Sequence, residues 1–373
     1  MKTLIVLAIA SLSGLAALVA GLALGLGVGP LFALTLATFG LARWLGREDL
    51  PASRRRLGLA VGIGLALAVL FVGKYLGFAF DNYDRLAAAL GWAPAPATRW
   101  ALPLGISFFT FHAISTLVDV HRRDAKPMAS LVDFACYLAF FPQLIAGPIL
   151  RFGAIAPAYA ERRHSWARFS SGLALFSLGL AKKVIIANTL APAADLAFAA
   201  RELDAPTAWF GLVAYGLQLY YDFSGYSDMA TGLARLFGFE FPRNFNAPYL
   251  AESITDFWRR WHISLGGFLR DYLYIPLGGN RRSPMRTALN LLLVMVLGGL
   301  WHGAAWTFVA WGLWHGTLLV AERWLGGRDG RQCIELVVHA ANRPLHLSHR
   351  LACLQHLEAG GFAFGHKIAH SRS

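Results

Sequence analysis

The chain has 373 residues, of which 56% are hydrophobic and only 15% charged, far below the charged quarter usual in soluble domains. Uncharged apolar stretches of about 20 residues, long enough to cross a bilayer, recur along it and exclude a soluble globular class. The net charge of +13 comes from short clusters between those stretches, at Arg54, Arg55 and Arg56, Arg122 and Arg123, Arg162 and Arg163, Arg281 and Arg282; this is a positive-inside pattern and excludes a nucleic-acid role.

In chain order, the apolar run from Leu4 to Ala42 is too long for a signal peptide and reads as two spans separated by Gly27, Val28, Gly29 and Pro30. A basic loop, Arg43 to Arg56, is placed in the cytoplasm. A third span over 57–80 leads to a periplasmic loop that starts at Asp81, Asn82, Tyr83 and Asp84 and runs through GWAPAPATRW. The run ALPLGISFFTFHAISTLV then returns to the basic cluster at His121 to Asp124. Segment 131–150 breaks the alternation: if it spanned, the basic stretch 151–168 would lie outside. It carries Pro142, Gly147 and Pro148, and proline removes a backbone donor and clashes with the preceding turn. A re-entrant element shielded by other helices satisfies both facts.

Two spans are expected over 169–221, followed by a polar island, YYDFSGYSDMATG, at 220–232. Stretch 243–282 is too charged to span, yet Trp258, Trp261, Leu265, Phe268 and Tyr272 recur at helical spacing. It predicts one amphipathic helix on the cytoplasmic side, with His262 bordering its apolar face. Final spans are expected over 287–308 and 309–325, carrying GGLWHGAAWTFVAWGLWHG. Cys136, Cys333 and Cys353 form no disulfide framework, and Cys136 reads as a small buried hydrophobe.

Three readings compete for His302: an interfacial residue at a helix end, a metal ligand, or a catalytic group. On one unbroken helix His302 and His315 would stand on nearly opposite faces, roughly 20 Å apart. With no HExxH and no paired cysteines, no metal site is assigned. Imidazole is the side chain best suited to proton transfer near neutral pH. No GxSxG elbow or phosphate-binding glycine loop is present. Asp222 and Asp228 could line an ion path in a secondary transporter, or merely cap a helix end or pair with an Arg.

Five co-linear stretches resemble the membrane-bound O-acyltransferase (MBOAT) family, within it the bacterial alginate O-acetyltransferase branch: LPLGISFFTFHAIS, YLAFFPQLIAGPILRF, YYDFSGYSDMATGLARLFGF, NFNAPYLAESITDFWRRWHISLGGFLRDYLYIPLGG and the WHG region, over roughly 100–325. The D-alanyl transfer protein of teichoic acid synthesis is a looser relative. The resemblance implies an all-α polytopic membrane protein with about 8–9 membrane helices and re-entrant elements around a tunnel, built by a single domain over 1–327. It implies acetyl transfer from a cytoplasmic thioester, acetyl-CoA or similar, toward hydroxyls of an exported polysaccharide, with no bound cofactor. His302 falls on the family's motif histidine, and His262 on its second polar position. Trp258, Trp261, Trp301 and Trp306 would wall the tunnel, with His315, Asp222 and Asp228 as further lining candidates; packing alone is the competing role for each tryptophan. The location implied is the bacterial inner membrane, multi-pass, with periplasmic acetyltransferase and polysaccharide-export partners. Acylation of peptidoglycan or teichoic acid is the alternative within this chemistry.

Residues 328–373 are a different text, holding six of the chain's twelve histidines. Arg343, His346, His349 and Arg350 interrupt every apolar stretch there. It does not resemble the family's C-terminal part, and a frameshift or truncation upstream would produce such text. The expectation is a disordered tail, an incomplete tunnel wall and weak activity.

Overall fold

The computed structural model describes residues 29–95, 105–144, 146–162, 164–200, 202 and 204–325. The first span expected within 4–42 and the whole stretch 328–373 lie outside the described residues. Regular structure among the described residues is entirely helical: α1 (Gly29–Leu45), α2 (Ala52–Leu90), α3 (Ile106–Arg122), α4 (Leu131–Leu138), α5 (Phe152–Ala160), α6 (Trp166–Ala199), α7 (Ala205–Leu236), α8 (Ile254–Arg260), α9 (Ile263–Leu269), α10 (Pro284–His302) and α11 (Trp306–Leu325). Of these, α2, α6 and α10 are long and apolar enough to cross a membrane. Chain contacts define two compact units: residues up to Leu173 with Ala230–Pro242, and Ala174–Met229 with residues from Arg243 onward.

In the first unit α1, α2 and α3 pack together around α3, whose residues Phe108 through Val120 are all buried. A helix that is covered on every side needs no amphipathic stripe, and the polar residues it does carry have a specific task. His112, Ser115 and Asp119 lie along one face of α3. Their Nε2, Oγ and Oδ2 atoms accept the backbone N–H groups of Leu150 (3.3 Å), Phe152 (2.8 Å) and Gly153 (2.8 Å). Leu150 closes the segment expected to break, and Phe152 and Gly153 open the helix that follows it. The segment does break: α4 stops at Leu138, Pro142 sits in a single 3-10 turn, and helix resumes only at Phe152. Irregular backbone away from water must find internal partners, and α3 supplies them. At Gly147 a Cβ would stand 2.3 Å from the Pro142 carbonyl oxygen, so only glycine permits this fold-back. Phe140 packs against Phe237, Phe239 and Phe241, and Tyr159 against Phe239 at 4.7 Å.

Several boundaries differ from expectation. Asp81 to Asp84 continue α2 and do not form a loop; the helix ends at Gly91, whose φ of 70° supplies the left-handed stop. The polar island at 220–232 is interior to α7. The reason lies across the helix pair in the second unit. The α6 backbone widens into a π turn at Lys182–Ala187, and there Lys182 Nζ meets Asp228 Oδ2 at 2.6 Å while Lys183 pairs with Asp222. Between these pairs Gly179 and Gly225 let the two backbones touch; a Cβ on Gly225 would lie 2.7 Å from the Gly179 carbonyl oxygen. Small residues at a helix crossing and neutralised charges are what an apolar surrounding demands.

Candidate active site

The second unit assembles its histidines through two breaks in helix. The first divides the WHG region: α10 ends at His302, Gly303 is extended (φ −157°, ψ 146°), and α11 starts at Trp306. The expected boundary between the two final spans, at 308, is therefore corrected to Gly303, and His302 and His315 stand on separate helices. After the turn α11 packs back along α10. Trp311 then contacts both histidines, its ring 5.6 Å from that of His302 and 4.7 Å from that of His315.

The second break interrupts the expected single amphipathic helix over 243–282. Ser253 caps α8, accepting from the Asp256 N–H at 3.0 Å, and α8 ends at Arg260. Trp261 is extended, and His262 takes φ 45° and ψ 54° before α9 begins. Left-handed backbone in a residue with a Cβ costs about 1–2 kcal/mol, and such strain persists only where surroundings hold it. Two strands of chain do so here: Asn246 N–H donates to the Arg260 carbonyl and Ile263 N–H to the Asn244 carbonyl, both at 2.9 Å. The Asn244 side-chain oxygen accepts from the Ser264 N–H (3.2 Å) and hydroxyl (2.9 Å).

The kink drives His262 inward to 3% exposure. Its ring stands 6.3 Å from that of His302, 6.2 Å from that of Trp301 and 4.7 Å from that of Phe223, to which it is nearly perpendicular. Both its ring nitrogens are buried without a hydrogen-bond partner among the described residues. Burial, with His302 acting in the same direction, pushes the His262 pKa well below the ordinary histidine range, so the ring is neutral. Trp258 meets His315 edge-on at 5.1 Å and Trp311 at 5.6 Å. Glu322 of α11 accepts from the Thr255 N–H (2.9 Å) and hydroxyl (2.7 Å), tying α8 to α11. Trp261 joins the same rings through Phe257, on which it stacks at 5.6 Å and which meets Trp258 at 5.4 Å, and it packs edge-on to Phe245 at 5.1 Å.

Of the residues singled out in the sequence, His262, His302, Trp301, Trp258, Trp261 and His315 are thus joined in one run of ring contacts. Trp306 stands 59% exposed at the start of α11, and Asp222 and Asp228 are engaged by Lys183 and Lys182. Phe223, Asn244 and Trp311 were missed; only Trp311, four positions before His315, carried a local signal. No group of three or more His, Cys, Asp or Glu side chains among the described residues could hold a metal ion.

Wholly helical structure among the described residues, three apolar helices of membrane length, and a buried His262 beside a half-buried His302 among aromatic rings together define a membrane protein with a histidine-bearing site. The chain belongs to the MBOAT, membrane-bound O-acyltransferase family, whose family model matches residues 99–327. It is 47% identical over 291 residues to a probable alginate O-acetylase AlgI of Azotobacter vinelandii, covering 78% of this chain and 58% of that protein. A peptidoglycan O-acetyltransferase of Helicobacter pylori is 39% identical over 70% of this chain and 54% of its own length. A teichoic acid D-alanyltransferase of Bacillus subtilis is 27% identical over 59% of this chain and 60% of its own length. The chain therefore spans somewhat over half the length of the curated relatives it matches.

Proposed function

We propose that this chain is the membrane core of an O-acyltransferase that carries an acetyl group from a cytoplasmic thioester, acetyl-CoA or a similar donor, toward hydroxyls of an exported polysaccharide of the alginate kind. The observation that carries this reading is the His262–His302 pair, rings 6.3 Å apart, in a chain of this family and with this degree of likeness to alginate O-acetylases. A sugar hydroxyl is a poor nucleophile. His302 takes its proton as the oxygen attacks the thioester carbonyl, help worth about 10² to 10⁴ in rate. The carbonyl electrons move onto oxygen, and a neutral His262 donates one N–H to that oxyanion, an interaction of a kind worth about 10² to 10³. When the oxyanion collapses the carbon–sulfur bond breaks, and the leaving thiolate takes the proton back from His302. Trp258, Trp301 and Trp311 exclude the water that would otherwise hydrolyse the thioester.

The site opens, in this reading, on a tunnel through the inner membrane, entered by the donor from the basic face and by the hydroxyl from the periplasmic side, where acetyltransferase and export partners assemble. Transport through Asp222 and Asp228 has less support, because each carboxylate is already neutralised by a lysine. The test uses membranes carrying the full chain, radiolabelled acetyl-CoA and alginate oligosaccharide. His302→Ala abolishes transfer while the protein still accumulates; His262→Ala lowers it strongly, and His315→Ala less. Transfer by His302→Ala at near wild-type rate would sink the mechanism.

A further inference from the structure

We propose that Asn244 is a positioning residue for His262, acting through the backbone at the start of α9 and never on substrate. The inference rests on the role given to His262 above. That imidazole hangs from a residue with φ 45°, a conformation that would relax if either flank were free. Asn244 holds the following flank at three points. Its carbonyl accepts from Ile263 N–H at 2.9 Å, and its side-chain oxygen accepts from the N–H and the hydroxyl of Ser264. Its amide donates in turn to Ser227 Oγ of α7 at 3.0 Å, the helix that also places Phe223 against the His262 ring. One buried side chain, 3% exposed, thus fixes α9 to α7 and sets the direction in which His262 leaves the chain. With its side-chain oxygen taken by Ser264 and its amide engaged by Ser227, Asn244 faces the scaffold. It is a brace, and its effect on rate must pass through His262.

That requirement gives the experiment. Acetyl transfer is measured for Asn244→Ala, His262→Ala and the double variant of the full chain in membranes. Alanine at 262 keeps the Cβ, so the backbone constraint remains while the imidazole is gone. Asn244→Ala should lower kcat by about 10- to 100-fold, the scale expected for a misplaced catalytic group, with the donor KM little changed. In the His262→Ala background the same substitution should change the rate by less than about twofold. An equal loss in both backgrounds would overturn the proposal. Wild-type rates in His262→Ala alone would overturn the role of His262 first, visible before Asn244 is touched.

A second readout does not depend on turnover. Diethyl pyrocarbonate modification, followed by mass spectrometry, should proceed faster at His262 in Asn244→Ala, while His112, fully buried beside α4, stays protected. Unchanged protection of His262, or equal exposure of both histidines, would refute a local role. Ser264→Ala serves if Asn244→Ala does not accumulate. It removes one of the donors to Asn244 Oδ1, and its smaller loss should likewise vanish without His262; a loss that persists there counts against the proposal.

Discussion

Gly312 of α11 lies one residue after Trp311, where α10 and α11 press backbone on backbone. A Cβ there would stand 2.5 Å from the Met295 carbonyl oxygen and 2.7 Å from the Val296 Cα. Both are main-chain atoms, so no side chain can swing aside. Ordinary contact begins near 3.4 Å, so in Gly312→Ala the helices must part locally by about 0.9 Å, a distortion of the size that overpacking imposes at about 1–3 kcal/mol. That is small enough for the chain to fold. It is large for the site, since Trp311 touches both His302 and His315, and a displacement near 1 Å can cost about 10²-fold in rate. Gly312→Ala should therefore accumulate in membranes, lose a few degrees of thermal stability in detergent, and transfer acetyl about 10- to 100-fold more slowly. Gly64→Ala on α2, with nothing within 4 Å of the added methyl, is the matched control and should behave as wild type. If Gly312→Ala matched that control in rate, the claim that this hairpin sets the geometry of the imidazoles would be refuted.

Further expectations concern charge and topology. Lys182→Met leaves Asp228 facing α6 without its cation and should destabilise the protein by about 2 kcal/mol or more; adding Asp228→Leu should recover most of that loss, because a pair replaced by apolar groups is often neutral. A double variant no more stable than Lys182→Met, by thermal melting in detergent, would show that the pair does not act as a unit. Ser165 and Ser283, both exposed, should face the cytoplasm if 131–150 re-enters. Labelling of Ser165→Cys by an impermeant reagent from outside intact cells would contradict that path.

What the sequence made legible followed from strong local chemistry. Pro142 and Gly147 announced the break between α4 and α5, and the apolar runs marked α2, α6 and α10. His302 and His262 stood out because imidazole is rare in such surroundings, and the family resemblance gave them roles. What stayed hidden depends on partners distant in the chain. Asp222 and Asp228 read as a polar interruption because the lysines that neutralise them lie 39 and 46 residues away. The kink at His262 carries no glycine to announce it; it is imposed by Asn244, whose bonds to Ser264 and Ser227 cross 20 and 17 residues. Periodicity across Trp258 to Tyr272 therefore reported continuity where the backbone turns. The turn expected at 308 falls instead at the extended Gly303, and it brings His302 and His315 against one indole.

The acceptors on α3 carry a consequence for biogenesis. The N–H groups of Leu150, Phe152 and Gly153 lie 38, 37 and 34 residues downstream of His112, Ser115 and Asp119, and chains are made from the N-terminus onward. By the time the broken segment leaves the ribosome, its partners are already set along a completed helix. Closing loops of this length differs little in entropy from one to the next, so the three contacts form at similar cost. The template is built before the part that needs it, and an insertion pathway that delayed α3 would release a segment with no lawful place in the bilayer.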